Sequence, residues 1–383
     1  MLTPDVFLLV LHRAPASRAI VNRRILKIKA NQHIRGSVVA DLLSQAWRSS
    51  ASPISISAEE LNEISPLLLG SGAGALAWFR IRHSPIAATF SAASELHQAY
   101  WHHTLEAALH EQDTVKTFQL LRFNGIEPVL IKGWSIARLY PEKGLRPYDD
   151  LDLVVKRDQY SSAQVINKER NATEFSVDLH NGLEEFGYDN DDDFFENSQL
   201  VRLGEVDVRI PAPEDALRIL CLHLLHHGAF RPLWLCDIAV AVESRPTGFD
   251  WDRCLGRNKR TADWMACTIG LAHQLLGATV DDTPVKRRAE TLPRWLIRSV
   301  LKQWEKPFAI DHGVARHRAP MASYLRNPAG LLRDIRTRWP NPIEATMHVG
   351  GPFNSLPRWP FQVGECISRT VHFMLAHKQR DEL

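Results

Sequence analysis

Lys132-Gly133-Trp134-Ser135, followed by Arg146-Pro147-Tyr148-Asp149-Asp150-Leu151-Asp152-Leu153-Val154-Val155, decides how this chain is read. It describes a glycine turn into a short helix, then a strand that shows two carboxylates on one face. Strand side chains alternate with period two, so Asp150 and Asp152 point the same way, roughly 7 Å apart at about 3.3 Å per residue. Leu151, Leu153 and Val155 take the other face and ask to be buried. Holding two like charges on a buried strand is costly unless a cation neutralises them, and Mg²⁺ suits carboxylate oxygens.

Working outward, Pro128-Val129-Leu130-Ile131 suits a short buried strand after the Asn124-Gly125 turn, and Phe175-Ser176-Val177-Asp178-Leu179 and Glu205-Val206-Asp207-Val208-Arg209-Ile210 are further strands. A short helix is expected over Ser135–Tyr140. Residues 116–210 thus form a small α/β sheet. Residues 1–115 read as helical, with Ala58-Glu59-Glu60-Leu61 opening one stretch and Ala92–Leu121 another; the glycine-rich 67–78 between them reads as a loop or helix junction. Residues 211–383 are helical again, with Pro213-Glu214-Asp215 opening a helix that Gly228 stops, and later helices near 234–244, 260–277, 293–304 and 363–378. The fold class is α/β (α+β): a small mixed-sheet core flanked by helical N- and C-terminal regions.

A chain of 383 residues has length for two or three domains, and its net charge of only +2 excludes a chain-wide polyanion-binding role, so no DNA partner is expected. The five cysteines are odd in number and lack a Cys-x-x-Cys pair, as reduced thiols of a cytoplasmic protein do. The apolar run Val6–Leu11 is too short to span a membrane, so none is expected as a partner. Arg380-Asp381-Glu382-Leu383 resembles a retrieval tail, which has meaning only in a secreted chain and reads here as coincidence.

The run Val129–Val155 resembles the polymerase-β-type nucleotidyltransferase superfamily, specifically a bacterial group of uncharacterised nucleotidyltransferases with Lys-Gly in place of the usual Gly-Ser. Val177-Asp178-Leu179-His180 is similar to that group's third acidic strand. Pro213–Val242, with His223, His227, Trp234 and Asp237, is similar to the helical segment after its core, and Phe249-Asp250-Trp251 to an element further on. The resemblance covers about residues 100–280. It implies a metal-dependent enzyme moving a nucleoside monophosphate from an NTP, with ATP the default, to an acceptor that is a small molecule, a protein or an RNA. Two Mg²⁺ or Mn²⁺ ions bridged by Asp150 and Asp152 would activate the acceptor hydroxyl and steady the leaving pyrophosphate, and Asp178 would ligate the nucleophile-side ion. Lys132, Gly133, Ser135 and Arg146 are the expected phosphate-binding residues. His180 is a further possible contact to nucleotide. Asp207 offers a pattern equivalent to Asp178, and the family-like His180 favours Asp178. About twenty residues separate Val155 from Val177, fewer than the group usually has between these strands.

Other motifs carry less. Tyr188–Phe195 is acidic and aromatic but lacks the glycine and glutamate of a calcium loop, and reads as a solvated loop. His223, His226 and His227 sit at helical spacing without a nearby carboxylate or cysteine and read as structural histidines, with His223 or His227 bonded to a group such as Asp237. The segment Lys286–Arg338 has about nine excess positive charges interleaved with Trp295, Trp304, Phe308 and Tyr324, as solvated helix faces or a polyanion-binding face have. The alternatives to a nucleotidyltransferase are a non-catalytic nucleotide-binding protein that keeps the fold, a phosphotransferase that releases ADP, and an RNA-binding module.

Overall fold

Alternation along β2 (Asp150–Val155) sorts its side chains between two cores. Leu151, Leu153 and Val155 are buried with Phe118, Leu121 and Leu130, while Val154, on the face of Asp150 and Asp152, belongs to the larger helical core. The computed structural model describes residues 34–88, 90–169, 176–188, 191–307 and 339–381. Val6–Leu11, Phe175, Phe308, Tyr324 and the end of the C-terminal tail lie outside the described residues.

In chain order, helices α1 (Ile34–Leu43), α2 (Ala58–Gly70), α3 (Gly74–Ile81) and α4 (Ser91–Phe123) precede β1 (Val129–Leu130), α5 (Trp134–Ala137) and β2. Then come α6 (Tyr160–Glu169), β3 (Ser176–Asn181), α7 (Asp192–Asn197), β4 (Gln199–Leu203) and β5 (Val206–Ile210). Helices α8 (Pro213–His226), α9 (Pro232–Glu243), α10 (Trp251–Leu255), α11 (Lys259–Leu276), α12 (Lys286–Glu290), α13 (Arg294–Trp304), α14 (Pro342–His348) and α15 (Trp359–Asp381) complete the described chain. This is an α+β fold.

The sheet order is β1-β2-β3, with β1 antiparallel and β3 parallel to the central β2. Parallel neighbours need a crossover of a dozen residues or more. The interval before β3 supplies it with α6, whose Ala163 is buried under the sheet, so the shortened segment still completes a parallel pair. β4 and β5 form a separate hairpin beside β1. β4 is a strand that the sequence reading did not contain: Leu200 is exposed and only Leu203 is buried, so no apolar alternation announces it.

Of the loop or helix junction expected over 67–78, the structure shows the junction: α2 runs through Pro66 to Gly70, 71–73 turn the chain, and α3 starts at Gly74. Two further expectations are corrected. The helix after Gly133 ends at Ala137 instead of Tyr140, where turn-type bonds replace the α-helical ladder. Among the described residues of Tyr188–Phe195, Asp192 and Asp193 are exposed as expected, but the rest pack: Phe194 is fully buried, the Tyr188 hydroxyl donates to Asp215, and Asp191 accepts from Arg157 at 2.9 Å and from the Leu183 amide at 3.2 Å.

Helices from the two ends of the chain share one core. Val39, Leu42 and Leu43 of α1 belong to the same buried cluster as Leu271 and Leu275 of α11 and Val300 and Leu301 of α13. Among the described basic residues of 286–307, Lys286 pairs with Asp281 at 2.8 Å and Arg288 with Asp263 at 2.6 Å. Trp295 and Trp304 donate to the Asn354 and Ala229 carbonyls, so these rings serve packing. Among the described residues, no helix is long and apolar enough to cross a membrane.

Candidate active site

Parallel pairing fixes the geometry of the site. Asp152 stands opposite Asp178 in the register of β2 and β3, and Val154 opposite His180, so both carboxylates and the imidazole rise from one sheet face. Ligand atoms of Asp152, Asp178 and His180 all lie within 4.8 Å of one another, a donor set that fits a divalent cation. Asp150 shares the face but stands outside this triplet. Asp152 is buried, with its side chain 6% exposed, whereas Asp178 is 61% exposed. One carboxylate anchors the site and the other faces solvent.

Two cations already attend Asp152. Lys132 Nζ lies 2.7 Å from its Oδ1, and His180 Nε2 lies 3.2 Å from the same oxygen and 3.7 Å from Asp178 Oδ2. On the other side of the ring, His180 Nδ1 meets Glu185 Oε1 at 3.1 Å. Burial works against charge on His180, but its bonds to Asp152 and Glu185 win and hold its pKa up at about 9. Burial also opposes ionisation of Asp152, yet the His180 bond and the Lys132 ammonium hold its carboxyl below the usual range. Asp150 lacks such a partner: burial, then the charges of Asp152 and Asp149, push it up to about 6.

These shifts shape stability against pH. The stability His180 contributes is complete below its ordinary 6.5 and lost as pH rises through about 9. Ionising Asp150 costs the fold, because its folded pKa of about 6 exceeds the ordinary 3.8; stability falls as pH rises across that interval. In chelator, urea midpoints of the wild type should therefore decline between about pH 4 and 6 and again between about 7 and 9. Asp150→Asn should remove the first decline and His180→Gln the second. Glu185→Gln should move the His180 titration, followed by imidazole NMR, back toward the ordinary range; an unmoved titration would show that the Glu185 contact contributes nothing.

The expected phosphate-binding residues are placed as follows. Gly133 has φ 62° and ψ −121°, a region closed to side chains, and it swings the backbone from β1 into α5. Gly133→Ala should cost about 1–3 kcal/mol in urea unfolding; a neutral substitution would mean the turn relaxes. The Ser135 hydroxyl is buried and donates to the Lys132 carbonyl at 3.1 Å. Arg146 is buried and binds Asp237, donating from Nε at 3.2 Å and Nη2 at 3.0 Å, while its charge still acts on Asp150 and Asp152. The Tyr140 hydroxyl donates to the other Asp237 oxygen at 2.8 Å. Asp237 therefore serves Arg146 and Tyr140, and the expected bond from His223 or His227 gives way to it. Asp207 pairs across the hairpin with Arg202 at 3.4 Å, and Arg209 turns to Glu127 at 3.1 Å.

The family described as "Uncharacterised nucleotidyltransferase" matches residues 71–169 and 162–277, together more than half of the chain. The chain belongs to this family. No curated protein and no solved structure matches it. For this member of the nucleotidyltransferase family, the matched region runs from the start of α3 through α11, so it holds the whole acidic sheet face and the helices behind it. Family membership indicates nucleotidyl transfer in general, with an NTP as substrate, and such enzymes generally use divalent metals.

Two residues of the site escaped the sequence reading. Glu185 follows His180 by one turn, and a carboxylate just beyond a histidine at a strand end is the signal that marks it. Tyr140 carried no signal, since its partner Asp237 is 97 residues away. His223, His226 and His227 belong to none of the metal-capable groups among the described residues. The other such groups, His102–His103–Glu106 and Glu344–His348–Glu365, lie outside the acidic sheet face.

Proposed function

We propose that this nucleotidyltransferase-family protein transfers a nucleoside monophosphate from an NTP, with ATP the default donor, to a hydroxyl- or phosphate-bearing acceptor. The acceptor oxygen forms a bond to the α-phosphorus, the bond from that phosphorus to the α,β-bridging oxygen breaks, and pyrophosphate leaves. The observation that carries this reading is the register that sets Asp152 beside Asp178 with Asp150 on the same face. Asp152 and Asp178, joined by His180 once it gives up its proton, would hold one Mg²⁺ or Mn²⁺, and Asp150 and Asp152 a second. The ions would supply charge neutralisation for the phosphate oxygens and activation of the acceptor hydroxyl.

The chain's own groups do the rest. Asp178, open to solvent, receives the acceptor proton. Lys132, whose ammonium lies 2.7 Å from Asp152, would bind a phosphate oxygen of the donor as a compact charge. Arg146, held by the Asp237 carboxylate that also accepts from Tyr140, sets the loop that delivers Asp150 rather than touching phosphate itself. We place the protein in the cytoplasm, in keeping with its free thiols. The acceptor is a small molecule, a protein or an RNA end.

The test is incubation of the protein with Mg²⁺ or Mn²⁺, each α-labelled NTP and cell extract, beside Asp150→Ala/Asp152→Ala. Label should move to an acceptor with the wild type alone; transfer that persists in the double variant sinks the assignment. One observation favours a second reading. Lys132 and His180 already neutralise Asp152, which suits a non-catalytic nucleotide-binding protein, and that reading predicts NTP affinity unchanged by chelator.

A further inference from the structure

We infer that the ring cluster where α8 meets α9, built from His223, His227, Phe230 and Trp234, is the wall on which the donor's nucleobase stacks; this rests on the nucleotidyl-transfer reading above. Trp234 is its centre. The ring centroids of His223, Phe230 and His227 stand 4.4, 5.1 and 5.3 Å from it, each at a steep angle. Trp234, Phe230 and His223 are half-buried and His227 is exposed, so the cluster opens to solvent at one rim. Its flat rings stand beside one fixed charge, the Arg231 guanidinium over Trp234.

Its place in the fold ties it to the acidic strand. Trp234 precedes Asp237 by three residues on α9, hence shares its face, and Asp237 grips Arg146 at the entrance to β2. Arg231 stands 5.4 Å over the Trp234 ring and donates to the Ser71 carbonyl at 3.0 Å. A Cβ built on Gly72 would lie 3.8 Å from Arg231 Nη2 and 3.5 Å from Pro147, so that guanidinium sits beside the segment leading to Asp150. On the α8 side, burial and then the charges of Lys132, His227 and Arg146 keep His223 well below its usual pKa, hence neutral beside the cationic groups of the site. A donor NTP needs both halves of this layout. Its phosphates need Lys132 and metal ions, and its base needs π faces nearby, which stack any base and purines most strongly.

The experiment compares binding of ATP and of inorganic tripolyphosphate to the full chain in Mn²⁺, by calorimetry, for wild type, His227→Ala, Trp234→Ala and Trp234→Phe. His227 is exposed, so its variant tests the wall without endangering the fold. The wild type should bind both ligands. His227→Ala and Trp234→Ala should weaken ATP about fivefold or more and leave tripolyphosphate unchanged, while Trp234→Phe retains most of the ATP affinity. ATP affinity unchanged in both alanine variants overturns the wall alone. Equal loss of tripolyphosphate affinity in both also overturns it, since the rings would then only support the fold. A wild type that binds neither ligand overturns the nucleotidyl-transfer reading and the wall with it.

Discussion

Asp152→Ala is expected to lower label transfer by on the order of a thousandfold or more, the largest effect of any single substitution here. The carboxylate is the shared point of the arrangement: it faces Asp178 across the sheet, shares its face with Asp150 and accepts from both Lys132 and His180. Its removal should also weaken the fold. Lys132 is nearly as buried as Asp152, and a buried charge stripped of its partner costs about 3–5 kcal/mol. The two effects separate in a Lys132→Met/Asp152→Leu double variant, which removes both charges and should recover most of the urea midpoint while staying inactive. Full activity in either variant would remove Asp152 from the chemistry.

Asp237→Ala should cost at least as much stability, about 3–5 kcal/mol for the stranded Arg146 guanidinium with the loss of the Tyr140 hydroxyl's partner added to it. Asp237 is wholly buried and Arg146 nearly so, so water cannot replace the lost partner. Arg146→Met/Asp237→Leu should be far less harmful than Asp237→Ala, as a buried pair replaced by apolar side chains often is. The distinction bears on function. If Arg146 bound phosphate directly, Arg146→Lys would weaken ATP binding without moving the urea midpoint; held as it is by Asp237, it should lower the midpoint first.

The strand face was legible because period-two alternation is local: Leu151, Leu153 and Val155 against Asp150 and Asp152 can be read without knowing any partner. Asp178 was legible only through its likeness to a family strand, and its position beside Asp152 comes from a parallel register that sequence does not print. The roles of Lys132, Ser135 and Arg146 were harder. Each carries a phosphate-binding group, but each is buried, and burial forces it to find a partner inside the protein. For Arg146 that partner is 91 residues away, so no window of sequence contains the pair. Phe194 and Tyr188 show the same limit in reverse, since four nearby aspartates make their segment look solvated while Asp215 and Arg157 bind it from elsewhere.

The shared helical core also sets a schedule for making the protein. Ser44 donates to the carbonyl of Leu276 across 232 residues, and Arg48 to that of Gly277 across 229. On a ribosome adding about 5–20 residues per second, α1 waits on the order of 10 to 50 s after emerging before those partners exist. Its apolar face must be shielded for that interval, so α1 is where chaperone engagement should concentrate during synthesis. A chain arrested after β5 would present the acidic strand complete but the helices that hold its loops unmade.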